Sequence, residues 1–107
     1  MTQYEIWWAN LAPPAGGRPV LLLSRPSAYS YLNRLLAAEV TSSVRGIVQE
    51  VPLGKAEGLP SACAANFDNI RTVPRSALAK RIGKLPSSRE IEVRRALGMS
   101  LGWEELI

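Results

Sequence analysis

Short runs of β-branched, aromatic and leucine residues recur along this chain at close spacing, and they constrain its fold more than any other feature. Each run ends near proline or glycine, which break regular structure. The pattern predicts strands over 3–9, 18–24, 37–42, 47–51, 62–71 and 79–84. Many short strands with turns between them are typical of a small antiparallel barrel or sandwich. The chain is therefore expected to be mainly β.

The strand over 18–24 and the segment that follows it carry further signals. The unbroken apolar run at 20–23 predicts that the strand over 18–24 is buried on both faces. Residues 27–36 place Tyr29, Leu32, Leu35 and Leu36 at near-helical spacing, which predicts a short helix or turn.

The clearest helix signal is C-terminal. Ser87 and Glu90 match a capping box, in which Ser87 caps the helix start and Glu90 reaches back to it. An apolar face follows, formed by Val93, Ala96 and Leu97. Gly98 or Gly102 can end the helix. We expect one domain over residues 1–107, with this helix packed on the sheet.

Charge and composition restrict the function. The formal net charge is +4 and the pI is about 9.7, which suits an anionic partner such as nucleic acid or an acidic protein segment. The chain has no histidine and a single cysteine, Cys63, so neither a zinc site nor an internal disulfide is expected. Cys63 has apolar neighbours, which favours a buried structural role. We expect no metal and no cofactor.

The expected location is the reducing cytoplasm. No apolar run approaches the roughly 20 residues that a membrane span requires, and no leader sequence with a cleavage site is visible.

Two polar clusters stand beside apolar runs. Arg18 lies at a turn-to-strand junction, between Gly17 and Pro19, and Asp68, Asn69 and Arg71 lie within four residues at the edge of another run. A guanidinium group neutralises phosphate in a fixed geometry. Such clusters at strand ends are suited to holding and cleaving a phosphodiester.

With these clusters in view, the chain resembles the MazF/PemK/Kid family of toxin–antitoxin endoribonucleases over most of its length. The matching segments appear in the family's order: 6–8, 17–24, 40–42, 50–54, 57–60, 66–72 and 81–85. The resemblance implies an SH3-like β-barrel with a C-terminal α-helix, usually a homodimer. It also implies a partner antitoxin, expected to be acidic and partly disordered.

The resemblance further implies metal-independent cleavage of single-stranded RNA at short sequences. Attack of a ribose 2′-OH on the adjacent phosphate would leave a 2′,3′-cyclic phosphate. The family's catalytic positions map to Arg18, Thr41 and Asp68. Arg18 would stabilise the phosphoryl charge, Thr41 would position the phosphate, and Asp68 would accept a proton or orient an arginine.

Further residues are expected to bind RNA. They are Ser42, Asn69, Arg71, Arg75, Lys80 and Arg81. The basic members could equally form a solvated edge that discourages strand pairing. Trp7 and Trp8 alternate in their strand, so at most one lies in the core, and the other is available to line an RNA groove or a dimer contact.

Two other functions remain open from the residues. One is a toxin on the same barrel that resembles the CcdB branch and binds a topoisomerase, with residues 103–107 as the contact tail. The other is a barrel that binds RNA without cleaving it.

Overall fold

The computed structural model describes residues 1–107 and contains one six-stranded sheet and one α-helix. The elements are β1 Glu5–Asn10, β2 Gly17–Leu22, β3 Arg34–Thr41, β4 Glu50–Leu53, β5 Cys63–Pro74, β6 Leu78–Lys84 and α1 Glu90–Leu101. The sheet is antiparallel throughout, in the order β4-β5-β3-β2-β1-β6. The expected mainly β architecture with a C-terminal helix is confirmed. No helix has both the length and the apolarity to cross a membrane.

The curled sheet buries apolar side chains on both faces. One core cluster includes Ile6, Leu21 and Phe67 and is covered by α1 through Val93 and Ala96. The other core cluster packs the opposite face and includes Val20, Leu22, Tyr29, Leu35 and Val73. The successive residues Val20, Leu21 and Leu22 of β2 point to opposite faces and are fully buried, so the prediction of burial on both faces is confirmed for this part of the strand. β2 is therefore a rigid support for the residue at its start.

The segment over 27–36 divides between two structures. A short 3₁₀ helix covers Pro26–Ser30, but β3 already begins at Arg34. Leu35 is fully buried opposite Val73, whereas Leu36 is exposed opposite Thr72. The helical reading was wrong for Leu35 and Leu36, because pairing with the distant strand β5 overrides their local spacing.

The strand predicted over 47–51 starts later than expected, at Glu50. The Glu50 carboxylate accepts hydrogen bonds from the backbone N–H groups of Arg45 and Gly46, both at 2.9 Å. These bonds close a turn over residues 45–50, so residues 47–49, which the pattern predicted as strand, are not part of one.

The helix start also differs from the prediction. Ser87–Arg89 form a 3₁₀ turn, α1 begins at Glu90, and no side chain caps the helix. Arg89 instead ties this turn to the barrel, since it pairs with Glu57 at 3.3 Å and donates to the Pro52 carbonyl at 2.7 Å. The predicted end is confirmed, because Gly102 adopts a left-handed φ of +72° just after the last turn.

The backbone of the turn at Glu57 and Gly58, before β5, packs directly against the backbone of β6. A Cβ atom added to Gly83 would lie 1.8 Å from the Glu57 carbonyl oxygen, and one added to Gly58 would lie 2.4 Å from the Ile82 carbonyl oxygen. Two backbones can approach this closely only where both residues lack a side chain. This crossing holds the turn against the last strand of the sheet.

Glu5 connects the chain start to β6 and makes stability depend on pH. Its carboxylate accepts hydrogen bonds from Trp7 Nε1, from the Thr2 N–H and from Arg81 Nε, each at 3.0 Å. Burial raises the pKa of Glu5, but these hydrogen bonds outweigh it and lower the pKa from 4.5 to about 2.

A carboxyl group with a lowered pKa in the folded state stabilises the fold above its unfolded pKa and loses this effect as the pH falls. We therefore expect the wild-type free energy of unfolding to fall between about pH 4.5 and pH 2. Glu5→Gln should cost on the order of 2 kcal/mol at pH 7 and flatten that part of the profile. Urea unfolding from pH 7 to pH 2 measures both, and parallel profiles for the two proteins would contradict the assignment.

Candidate functional site

Arg18 and Thr41 come together in one cleft, where β2 begins and the neighbouring strand β3 ends. Arg18 is the second residue of β2 and Thr41 is the last residue of β3. The register pairs Val20 with Glu39, and its continuation places Arg18 opposite Thr41. Both line a cleft of about 410 Å³ together with Ser42, Ser43 and Trp8. Two residues predicted as catalytic and one predicted to bind RNA therefore share this cleft, hereafter the Arg18–Thr41 cleft.

Protein contacts hold the Arg18 side chain at two points. Nε donates to the Ala15 carbonyl at 3.2 Å, and Nη1 donates to Glu39 Oε1 at 3.1 Å. Nη2 makes no hydrogen bond within the chain, and about a third of the side chain is exposed. An arginine has five N–H donors in a fixed plane. Arg18 is thus oriented by the protein while it keeps donors for an anionic ligand.

Glu39 is a site residue that sequence reasoning did not identify. Its Oε1 accepts from Arg18 and its Oε2 accepts from Arg71 Nη1 at 3.2 Å. It lines a second cleft of about 450 Å³ with Arg18, Arg71, Asn69 and the loop over 12–15. The available signal was one acidic residue within the apolar stretch over 35–40, two positions before Thr41 and so on the same face of β3.

The hydroxyl groups at the end of β3 are available to a ligand. Thr41 Oγ1 accepts a hydrogen bond from the Ser43 N–H at 3.1 Å, and its own hydrogen remains free to donate. Ser42 is exposed at the mouth of the same cleft. A guanidinium and two hydroxyl groups therefore converge on a space large enough for a phosphate and a sugar.

Trp8 lies between this cleft and a neighbouring one. It is 39% exposed and also lines a cleft of about 460 Å³ with Lys80 and Arg81. Its ring packs against Gly17, where a Cβ atom would lie 2.7 Å from Cζ2. Trp7 is more buried and packs against the core, so at most one of the two tryptophans is a core residue, as predicted.

Asp68 and Asn69 lie on a β-bulge. The β3–β5 register shifts between the pairs Ala38–Ile70 and Glu39–Asn66, so residues 67–69 have no partner in β3. Asn69 faces the cleft of Glu39 and Arg71, whereas Asp68 is exposed and lines a different cleft, against α1. Asp68 does not share the Arg18–Thr41 cleft.

Arg75 is engaged in holding backbone. Its Nη2 donates to the carbonyls of Tyr29 and Leu32, the latter at 3.1 Å, and Nε donates to Leu32 at 3.3 Å. These contacts fasten the 3₁₀ helix before β3 to the end of β5. A structural role follows from them.

Arg75→Ala is therefore expected to destabilise the protein by about 2 kcal/mol, the range for hydrogen bonds from a charged donor. RNA affinity should change by less than about threefold, since this guanidinium is turned to the backbone. Urea unfolding and RNA binding on the same preparation test both expectations. Unchanged stability with weakened binding would instead favour the predicted role in RNA binding.

Cys63 lines the Arg18–Thr41 cleft, but its thiol is not placed to react. It is buried, its thiol donates to the Leu53 carbonyl at 3.7 Å, and burial raises the pKa of the thiol. The prediction of a buried cysteine is confirmed. The fold contains no group of three or more cysteine or carboxylate side chains placed to hold a metal ion.

An apolar groove runs between α1 and the sheet, and it shares no lining residue with the Arg18–Thr41 cleft. Its first part has a volume of about 470 Å³ and its walls include Tyr4, Leu23, Leu36 and Leu97. It continues past Asp68 and Ile70 to Leu101 at the end of the helix. Leu36 and Leu101 are 42% and 49% exposed.

Comparison with known proteins identifies the family of this chain. The profile of the family described as PemK-like, MazF-like toxin of type II toxin-antitoxin system matches residues 2–101, and the chain belongs to this family. The "Probable endoribonuclease MazF2" of Mycobacterium tuberculosis is 39% identical over 103 residues, which cover 95% of this chain and 99% of that protein.

Solved structures of MazF toxins have the same fold as this chain. The Mycobacterium tuberculosis toxin MazF-mt6 superimposes with a TM-score of 0.85 at 33% identity and covers 92% of this chain and 96% of its own. A MazE–MazF structure from Deinococcus radiodurans has a TM-score of 0.75 at 32% identity and covers 97% of each chain.

Proposed function

We propose that this chain is an endoribonuclease toxin that cleaves single-stranded RNA without a metal ion. The observation that carries the proposal is that Arg18 and Thr41, on the paired strands β2 and β3, line the same cleft. Relatives named as endoribonucleases match nearly the whole chain, which supports the assignment. The acting unit is proposed to be a single toxin domain, residues 1–107, working in the cytoplasm where messenger RNA is translated.

The proposed reaction is an internal transfer at phosphorus. The ribose 2′-oxygen forms a bond to the adjacent phosphorus, the bond from phosphorus to the 5′-oxygen breaks, and a 2′,3′-cyclic phosphate results. One proton leaves the 2′-hydroxyl and one reaches the departing 5′-oxygen. The Arg18 guanidinium stabilises the negative charge that develops on the phosphoryl oxygens. The Thr41 hydroxyl donates to one of these oxygens and holds the phosphate in place.

RNA is proposed to extend from the Arg18–Thr41 cleft in two directions. On one side lie Asn69 and Arg71, and on the other lie Lys80 and Arg81 beyond Trp8. Basic side chains neutralise phosphates, and an exposed indole ring can stack with a base. Ser42 is proposed to contact the chain at the cleft mouth.

A catalytic role for Asp68 stays a prediction. Within one chain Asp68 lines the groove beside α1, so it could act only on RNA that also reaches that face or on the site of a second copy. Asp68→Asn, assayed for cleavage beside wild type, tests this role directly.

The proposal is tested by incubating purified protein with mixed single-stranded RNA in excess EDTA. We expect cuts at a short recurring sequence, with 2′,3′-cyclic phosphate and 5′-hydroxyl ends. RNA left intact under all conditions would overturn the proposal. Binding without cleavage would then favour the inactive RNA-binding barrel, and affinity for a topoisomerase would favour the CcdB-like alternative.

The proposed protein partner is an acidic antitoxin segment. Toxin–antitoxin systems pair two proteins, and the Deinococcus radiodurans relative was solved as MazE–MazF. The clefts around Arg18, Arg71 and Lys80 carry the positive charge that such a segment would cover. Its binding is expected to weaken with salt and to block RNA cleavage.

A homodimer is proposed to form along the apolar groove beside α1. Leu36 and Leu101 are large apolar side chains that the single chain leaves exposed, next to partly buried Ile70. Leu36→Lys with Leu101→Lys should convert a dimer to a monomer in sedimentation equilibrium at micromolar concentration. A wild-type protein that is already monomeric there would contradict this part of the proposal.

A further inference from the structure

Glu39 is the one acidic residue that contacts Arg18, and it sits in an unusual place for a carboxylate. Its strand neighbours Ala37 and Ala38 are fully buried, and its cross-strand partner Val20 is fully buried as well. The Glu39 side chain is only 14% exposed, compared with 32% for Arg18 and 38% for Arg71. A carboxylate this well covered destabilises a protein unless it is paired. Both of its oxygens are in fact paired, each with a different arginine.

The arrangement restricts how Arg18 can turn. The guanidinium plane is set by two points, Nε on the Ala15 carbonyl and Nη1 on Glu39, so rotation about the last side-chain bonds would break one contact. Glu39 lines the second cleft and Thr41 lines the first, while Arg18 lines both. Arg18 is therefore the residue that the two clefts share, and it contacts the carboxylate in one and lies with the hydroxyl groups in the other.

We propose that Glu39 is the residue that positions Arg18 for RNA cleavage, at the expense of affinity for RNA. This inference rests on the proposed endoribonuclease function. Glu39 leaves Arg18 Nη2 as the nitrogen free of protein contacts and keeps it in one orientation for the phosphoryl oxygens. At the same time its negative charge offsets the attraction of Arg18 and Arg71 for RNA phosphates.

The two effects act on different steps of the reaction. Correct orientation of a charged donor lowers the energy of the transition state, so it raises the rate of the chemical step. A nearby carboxylate lowers the affinity for any polyanion, whether or not it reacts. Removal of the charge should therefore move affinity and turnover in opposite directions, which a loss of folding cannot do.

The test is Glu39→Gln, a change of almost equal size. Affinity is measured with an RNA blocked by 2′-O-methyl groups, and turnover with the cleavable RNA at saturating protein. We expect turnover to fall by about 10- to 100-fold, the scale for a misplaced catalytic group. The Kd for blocked RNA should be lower than that of wild type. Glu104→Gln is the matched control, because it makes the same charge change on an exposed residue outside both clefts.

Unchanged turnover in Glu39→Gln would overturn the inference, as would affinity and turnover that weaken together. A second measurement uses the wild type alone: nitrogen-15 relaxation of arginine Nε should show Arg18 restricted and Arg95, an exposed residue whose side chain makes no hydrogen bond or ion pair, mobile. A mobile Arg18 would overturn the inference even if every variant folds poorly. Wild-type protein that cleaves no RNA would refute the proposed function, whereas the Arg18 relaxation reports the positioning separately.

Discussion

Arg18→Ala is expected to lower RNA cleavage by about 100- to 1,000-fold, the scale for removal of one donor that stabilises transition-state charge. Arg18 is the one cation in the Arg18–Thr41 cleft, so no neighbouring side chain there can replace its charge. Thr41→Ala should cost less, about 10- to 100-fold, because the Thr41 hydroxyl carries no charge and Ser42 stands beside it. Single-turnover cleavage of a defined RNA measures both.

The loss must be separated from an effect on folding or on overall charge. Arg95→Ala is the control, since Arg95 is exposed on α1 and its side chain forms no hydrogen bond or ion pair, and this variant should cleave within about twofold of wild type. Arg18→Ala should also retain the wild-type blocked-RNA affinity within about tenfold, because other basic side chains still bind phosphates. An Arg18→Ala variant that cuts RNA at the wild-type rate would refute the assigned site.

Gly83→Ala is expected to be the most destabilising single change, at more than about 3 kcal/mol. Its new methyl group would meet the Glu57 carbonyl oxygen at 1.8 Å, and both sides of this contact are backbone. The turn that carries Glu57 would have to move away from β6. That turn also holds Arg89 through the Glu57 carboxylate, so the start of α1 would lose an anchor.

Urea and thermal unfolding test this expectation, with a fall in Tm of more than about 10 °C. Gly54→Ala is the matched control within the same turn. Its added methyl would approach no closer than 4.0 Å to the Ala62 backbone, and its φ of −174° is open to any residue. The control should stay within about 1 kcal/mol of wild type. Equal losses of stability in Gly83→Ala and Gly54→Ala would contradict the prediction. They would show that the flexibility of glycine matters here, rather than the close approach of Gly83 to the Glu57 carbonyl oxygen.

Local sequence patterns predicted the elements that depend on neighbouring residues. The run at 20–23 identified a central strand because unbroken leucine and valine suit burial on both faces. Gly102 identified the helix end because its left-handed backbone is one that glycine adopts without strain. The capping box at Ser87 failed because Arg89 anchors the helix start to a turn more than thirty residues away, and the serine is not needed.

In the candidate site, too, some features could be predicted from the sequence and others depend on contacts between distant segments. The resemblance to the MazF/PemK/Kid family, carried by the order of the Arg-Pro strand and the Thr-Ser strand end, was enough to propose Arg18 and Thr41 as site residues. Their sharing of a cleft, the separate place of Asp68 and the use of Arg75 on backbone carbonyls could not be read in this way. Each depends on strand register, and in β5 the register changes at a bulge that moves Asp68 and Asn69 into different clefts.

The amino-acid sequence by itself therefore determined the β-rich class of this protein and its C-terminal helix. These features follow from side-chain type and short-range spacing. Only the tertiary structure decided that Glu39 holds Arg18 and Arg71 together, and that Gly83 closes the sheet against the Glu57 turn. The physical reason is that both are contacts between segments more than twenty residues apart, where the energy depends on pairing geometry that no local pattern records.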